Sequence, residues 1–158
     1  MSSAASRPYK VLFVCLGNIC RSPAAEGVMR AMAAGMPVEI DSAGTAGYHI
    51  GELPDARMRS HAAKRGYPLT HRARQFDAAD FERFDLILAM DASNMRNLKA
   101  LDRKNAYGGK MKMMTDYCTT MSVTEVPDPY YGGPEGFEHV IDILEDACRG
   151  LLKEISTR

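Results

Sequence analysis

What this chain has little of narrows it first. Cysteine occurs only four times in 158 residues, at positions 15, 20, 118 and 148. That is too few, and too scattered, for a disulfide framework in a domain of this size, and a reducing cytoplasmic setting is the natural expectation. An excess of either charge is missing too: Lys plus Arg and Asp plus Glu stand at 20 each, for a formal net charge of zero. General electrostatic attraction to nucleic acid or to a membrane surface therefore has no support. Any selectivity for an anion must come from a local site. Long apolar runs are absent as well. The opening MSSAASRPYK carries none, and residues 11–14 are far too few for a signal peptide or a membrane span. No internal repeat is visible, and residues 1–8 read as a disordered extension of one domain over 9–158.

What is present alternates between two periods. Residues 10–14, KVLFV, read as a buried strand bounded by a Gly-containing turn. Ser22 as an N-cap and Pro23 at a first helical position predict a helix to about residue 34, closed by Gly35. A second strand is expected at 38–41, a helix at 55–65 ended by Gly66, and a short helix at 78–83. Residues 84–90 are the strongest strand, an apolar run suited to the middle of a parallel sheet. A helix at 91–101 and a weaker fourth strand at 110–114 follow. The last helix is the clearest: Phe137, Val140, Ile141, Leu144, Ala147, Cys148, Leu151, Leu152 and Ile155 form one apolar stripe. The fold class this implies is α/β, a single domain with a four-stranded parallel sheet and helices on both faces. Ligands of such sheets bind beyond the carboxyl ends of the strands, where Cys15 stands.

The segment CLGNICRSP at 15–23 carries the chemistry. A strand–loop–helix turn through Leu16, Gly17, Asn18, Ile19, Cys20 and Ser22 can curl its backbone N–H groups into a nest for an oxyanion. The helix behind it adds the positive end of its dipole. Arg21 offers a planar fork that can grip two phosphate oxygens. Gly17 lets the backbone turn tightly, and Asn18 tolerates left-handed conformations. Cys15 sits at the focus, where helix ends and cations favour the thiolate, a nucleophile. Ser22 can donate a hydrogen bond to it. A Cys-x5-Arg spacing alone is weak, and a buried cysteine beneath a strand end is the plain alternative. A phosphate ester also needs a group to protonate the departing oxygen. The segment EVPDPYYGG at 125–133 offers Asp128, fixed between two prolines, with Tyr130 and Tyr131 able to flank a planar ring.

With these motifs in order, the chain resembles the low-molecular-weight protein tyrosine phosphatases. CLGNICRSP, DSAGTAGYHIG, THRARQ, FDLILAMDASN and DPYYGG carry the resemblance, over about residues 9–155. It implies hydrolysis of phosphotyrosine in protein substrates and of aryl phosphates, with no metal and no cofactor. By position it implies Cys15 as nucleophile, Arg21 as phosphate clamp and Asp128 as general acid. It further implies that Ser42 and His71, with Asn18, brace the loop, and that Tyr48, Tyr130 and Tyr131 line the substrate cleft. A monomer is favoured, with the oligomeric state left open, and neither nucleic acid nor membrane insertion is expected. Cys20 stands where it could form a reversible disulfide with Cys15, or serve simply as a small residue under the loop. Arsenate reduction on the same fold needs two further cysteines on a mobile segment, which the spacing of Cys118 and Cys148 does not provide. A phosphotyrosine-binding module would not need both Cys15 and Asp128.

Overall fold

Val11, Leu12, Phe13 and Val14 are completely buried, because the strand they form is covered on both faces. The structure is a computed structural model that describes residues 7–130 and 132–158. Strand β1 (Tyr9–Cys15) lies between β2 (Val38–Gly44) and β3 (Leu86–Ala89), and β3 pairs with β4 (Met111–Met113). All pairings are parallel, in the order β2-β1-β3-β4. Alternate side chains of β1 enter different cores, as the two-residue period of a strand requires. Val11, Phe13 and Cys15 join a larger core, and Leu12 and Val14 a smaller one. The larger core is closed by α1 (Arg21–Met32), α2 (Ala56–Lys64) and α5 (Pro134–Ser156). The smaller core is closed by α3 (Asp80–Arg83) and α4 (Ala92–Leu101). The expected α/β sheet with helices on both faces is what forms.

The α5 stripe is buried as its spacing requires, except that Leu152 is only half-buried at its edge, and Ile143 and Asp146 are added. Buried Asp146 accepts from the backbone N–H groups of Thr119, Thr120 and Met121. Burial pushes this carboxyl up, but those donors and the Thr119 hydroxyl outweigh it and hold its pKa well below the usual carboxylate range. The chain after β4 is thereby fastened to α5 before it returns toward the carboxyl ends of the strands.

Several expected boundaries move. Strand β2 runs three residues past 41, because its register with β1 continues until Gly44 stands beside Cys15. Strand β3 starts later than 84, since the Phe84 N–H closes α3 on the Asp80 carbonyl. Helix α1 begins at Arg21 with Cys20 in the cap position and no side-chain cap bond. Ser22 is therefore not the N-cap, and Pro23 is the third helical residue and not the first. The hydroxyl that would have capped the helix is used elsewhere. Residues 1–6 of the expected extension lie outside the described residues, and Arg7 pairs with Asp85 at 3.0 Å.

Candidate active site

Cys15 is the last residue of β1 and is almost wholly buried. The loop that follows takes Asn18 into the left-handed region at φ 59°, which a short polar side chain tolerates. Three loop carbonyls accept hydrogen bonds from outside it: Cys15 from Thr45 N–H, Leu16 from Ala46 N–H and Ile19 from Asp55 N–H. These bonds fix the loop to the segment after β2 and to the start of α2. Gly44 makes the approach possible. A Cβ there would stand 2.6 Å from the Leu16 carbonyl oxygen and 3.1 Å from the Asn18 nitrogen.

The buried side chain of Asn18 organises the loop interior. Its amide donates to Ser22 Oγ at 2.7 Å and to Ser42 Oγ at 3.0 Å. Its oxygen accepts from Arg74 N–H at 3.0 Å and lies 3.0 Å from His71 Nε2. Ser22 Oγ, already an acceptor from Asn18, stands 3.0 Å from Cys15 Sγ, which leaves the serine proton free to point at sulfur. Ser42 in turn donates to Glu26 at 2.6 Å. Thus the sequence-predicted Asn18, Ser22, Ser42 and His71 meet in one network. Glu26 and Arg74, which the sequence reading did not single out, belong to it as well.

Arg21 is buried and held from two directions. Its Nη1 donates to Asp91 Oδ2 at 2.7 Å and to the Val126 carbonyl at 3.0 Å. Burial disfavours its charge, but Cys15, Asp91 and Asp128 outweigh that and raise its pKa above the ordinary guanidinium value. Asp91 also caps α4 by accepting from Asn94 N–H, so one carboxylate ends β3's connection and anchors Arg21. Asp128 Oδ2 lies 3.8 Å from Arg21 Nη2, and its side chain is 45% exposed. Its other oxygen accepts from Tyr130 N–H at 3.1 Å.

Above Cys15 opens a cleft lined by Leu16, Tyr48, His49, Asp128 and Tyr130. Tyr48 is exposed, and the ring of His49 lies 6.5 Å from those of both Tyr48 and Tyr130. His49 was not anticipated. The expected Tyr131 lies outside the described residues. Cys20 is buried under the loop, and burial followed by the Asp55 charge pushes its thiol well up. Among the described residues, Glu26, Asp41 and His71 bring metal-ligating atoms within 4.8 Å of one another. Their carboxylate oxygens already accept from Ser42, Arg30 and Arg74, so a cation would have to displace a formed network.

The model of the family described as low molecular weight phosphotyrosine protein phosphatase matches residues 10–158. A Synechocystis relative named among the low molecular weight protein-tyrosine-phosphatases is 57% identical over 150 residues, covering 92% of this chain and 96% of its own. The low molecular weight protein-tyrosine-phosphatase of Streptomyces coelicolor is 44% identical, covering 93% of each. The crystal structure of a protein tyrosine phosphatase from Entamoeba histolytica, with Hepes in its active site, gives a TM-score of 0.89. It is 47% identical, and the match covers 94% of this chain and 97% of that one. The chain belongs to the low molecular weight phosphotyrosine protein phosphatase family. Among the described residues, no helix is long and apolar enough to cross a membrane.

Proposed function

We propose that the phosphotyrosine phosphatase activity of this family proceeds here by two displacements through a phosphocysteine on Cys15. The substrates are phosphotyrosine-bearing proteins and small aryl phosphates, and the catalytic domain spans 9–158 in the cytoplasm. In the first step the Cys15 thiolate bonds to phosphorus and the bond from phosphorus to the phenol oxygen breaks. The Asp128 carboxyl gives its proton to that oxygen. In the second step water attacks phosphorus, Asp128 takes the water's proton, and the sulfur leaves as thiolate, steadied by the Ser22 hydroxyl. Arg21 and the loop N–H groups hold the equatorial oxygens as charge spreads over them. Tyr48 and Tyr130 flank the ring.

The observation that carries this reading is the convergence of the loop residues Cys15 and Arg21 with the sequence-distant Asp128 on one cleft. Cys15 sits at its floor, Arg21 beside it, and Asp128 within 3.8 Å of Arg21 at the solvent-exposed rim, where a leaving group would depart. Asp91 and Val126 hold the Arg21 fork from behind.

The acid assignment is tested by leaving-group dependence. Tyrosine's phenol, with a pKa of about 10, needs a proton to depart, and a much more acidic phenol does not. Asp128→Asn should therefore slow the cleavage of poor leaving groups far more than of good ones. Plots of log kcat/KM against leaving-group pKa, for wild type and variant, should show the variant as the steeper line. Parallel lines would mean that Asp128 shapes the turn and does not donate the proton.

A further inference from the structure

The proposed chemistry requires two segments to keep register: the phosphate loop at 15–21 and the turn carrying Asp128. Upstream of that turn the link is buried. Val126 N–H donates to the Met90 carbonyl at 2.8 Å, and the Val126 carbonyl accepts from Arg21. Downstream the chain is more open, and Gly132 and Gly133 supply no local stiffness. There the Tyr130 N–H donates to Asp128, and the Tyr130 carbonyl accepts from Arg57 Nη2 at 2.9 Å.

Arg57 belongs to the first turn of α2. Its guanidinium makes two bonds to the Asp55 carboxylate, at 3.1 and 3.0 Å. It also lies over two rings, 5.3 Å from the centroid of Tyr130 and 4.9 Å from that of Phe137. The Asp55 N–H donates to the Ile19 carbonyl of the phosphate loop at 2.7 Å. A continuous path therefore runs from Ile19 through Asp55, Arg57 and Tyr130 to Asp128. We propose that Arg57 is a positioning residue for the general acid, tying the turn at 128–130 to the phosphate loop through Asp55.

This rests on the reading of Asp128 as the acid. The Arg57 side chain is 47% exposed, and an exposed ion pair contributes little to stability. Its value lies in geometry. Two carboxylate bonds, one carbonyl and two ring faces use the planar fork from several sides at once, which a flexible ammonium cannot match. A reacting group misplaced by about 1 Å can cost on the order of 10²-fold in rate. Arg57 acts through a backbone carbonyl two residues from the acid, so a loss of about tenfold is the scale to look for.

The experiment compares wild type, Arg57→Ala, Asp128→Asn and the double variant across the same graded aryl phosphates. Arg57→Ala should lower kcat/KM about tenfold for phosphotyrosine and much less for an ester of a very acidic phenol. In the Asp128→Asn background it should cost nothing further, because no proton donor remains to be positioned. An equal loss across the series, or the same loss in the double variant, would show that Arg57 only supports the fold and would overturn the proposal. If Asp128→Asn itself leaves the slope unchanged, the acid assignment fails and takes this proposal with it. That outcome is read from the single variant, so the two failures are distinct.

Discussion

Replacing Cys15 by serine should reduce phosphotyrosine turnover by at least about 10⁴-fold, the scale on which removing a nucleophile acts in other covalent enzymes. The serine hydroxyl would occupy nearly the same space at the end of β1, and Ser22 Oγ, 3.0 Å from Cys15 Sγ, would still have a polar partner. What is lost is the thiolate. The side chain hydrogen-bonded at this position is Ser22, itself a hydroxyl and not a base, so the alcohol is not converted to a strong nucleophile. Binding of inorganic phosphate should persist, because the loop, the start of α1 and Arg21 are untouched and a negative charge has been removed from the floor of the site. Steady-state assay with a phosphotyrosine peptide, alongside calorimetric titration with phosphate, reads both effects. Turnover near the wild-type level would remove Cys15 from the chemistry.

Arg21→Lys should lower kcat by at least about 10²-fold, the cost of losing a preorganised oxyanion donor. The substitution keeps the charge and removes the fork. In the native site Nη1 serves both Asp91 and the Val126 carbonyl. This leaves the rest of the guanidinium for the phosphoryl oxygens. A single ammonium cannot hold both anchors and still reach the substrate in a fixed plane. The effect should fall on kcat more than on KM, because charge on the equatorial oxygens is redistributed on the way to the transition state. Near-normal kcat in Arg21→Lys, measured with the same peptide, would show that charge alone suffices.

The parts of this architecture that read directly from the chain are those coded by contiguous residues. The run KVLFV, the turn through Gly17 and Asn18 and the helix behind them lie within some twenty residues of each other. Their local signals agree with the strand, loop and helix that form. The α5 stripe is equally local, since a single helix carries its own periodicity. Ser22 illustrates how such a signal misleads. Ser before Pro is a strong helix-start pattern, yet its hydroxyl is committed to Asn18 and Cys15, and the helix begins two residues earlier, at Arg21.

The residues that escaped notice have partners far away in sequence. Asp91 lies 70 positions from Arg21, and Arg57 lies 73 from Tyr130. Asp91 was recoverable in principle. It follows β3, and β3 pairs with β1, so the carboxyl ends of these two strands must present their next residues side by side. Gly44 and His49 offered no comparable clue. The close approach of Gly44 to the loop depends on β2 running three residues farther than its apolar pattern indicates, and the place of His49 depends on the turn beyond it.

The central claim is that the phosphoryl group passes through the protein, on Cys15, before it reaches water. Stereochemistry at phosphorus tests this most directly. An aryl phosphate made chiral with oxygen isotopes is turned over in the presence of an alcohol acceptor, and the configuration of the new ester is determined. Each in-line displacement inverts phosphorus, so two displacements should give net retention. Net inversion would mean one direct transfer from substrate to acceptor, and would contradict the phosphocysteine intermediate.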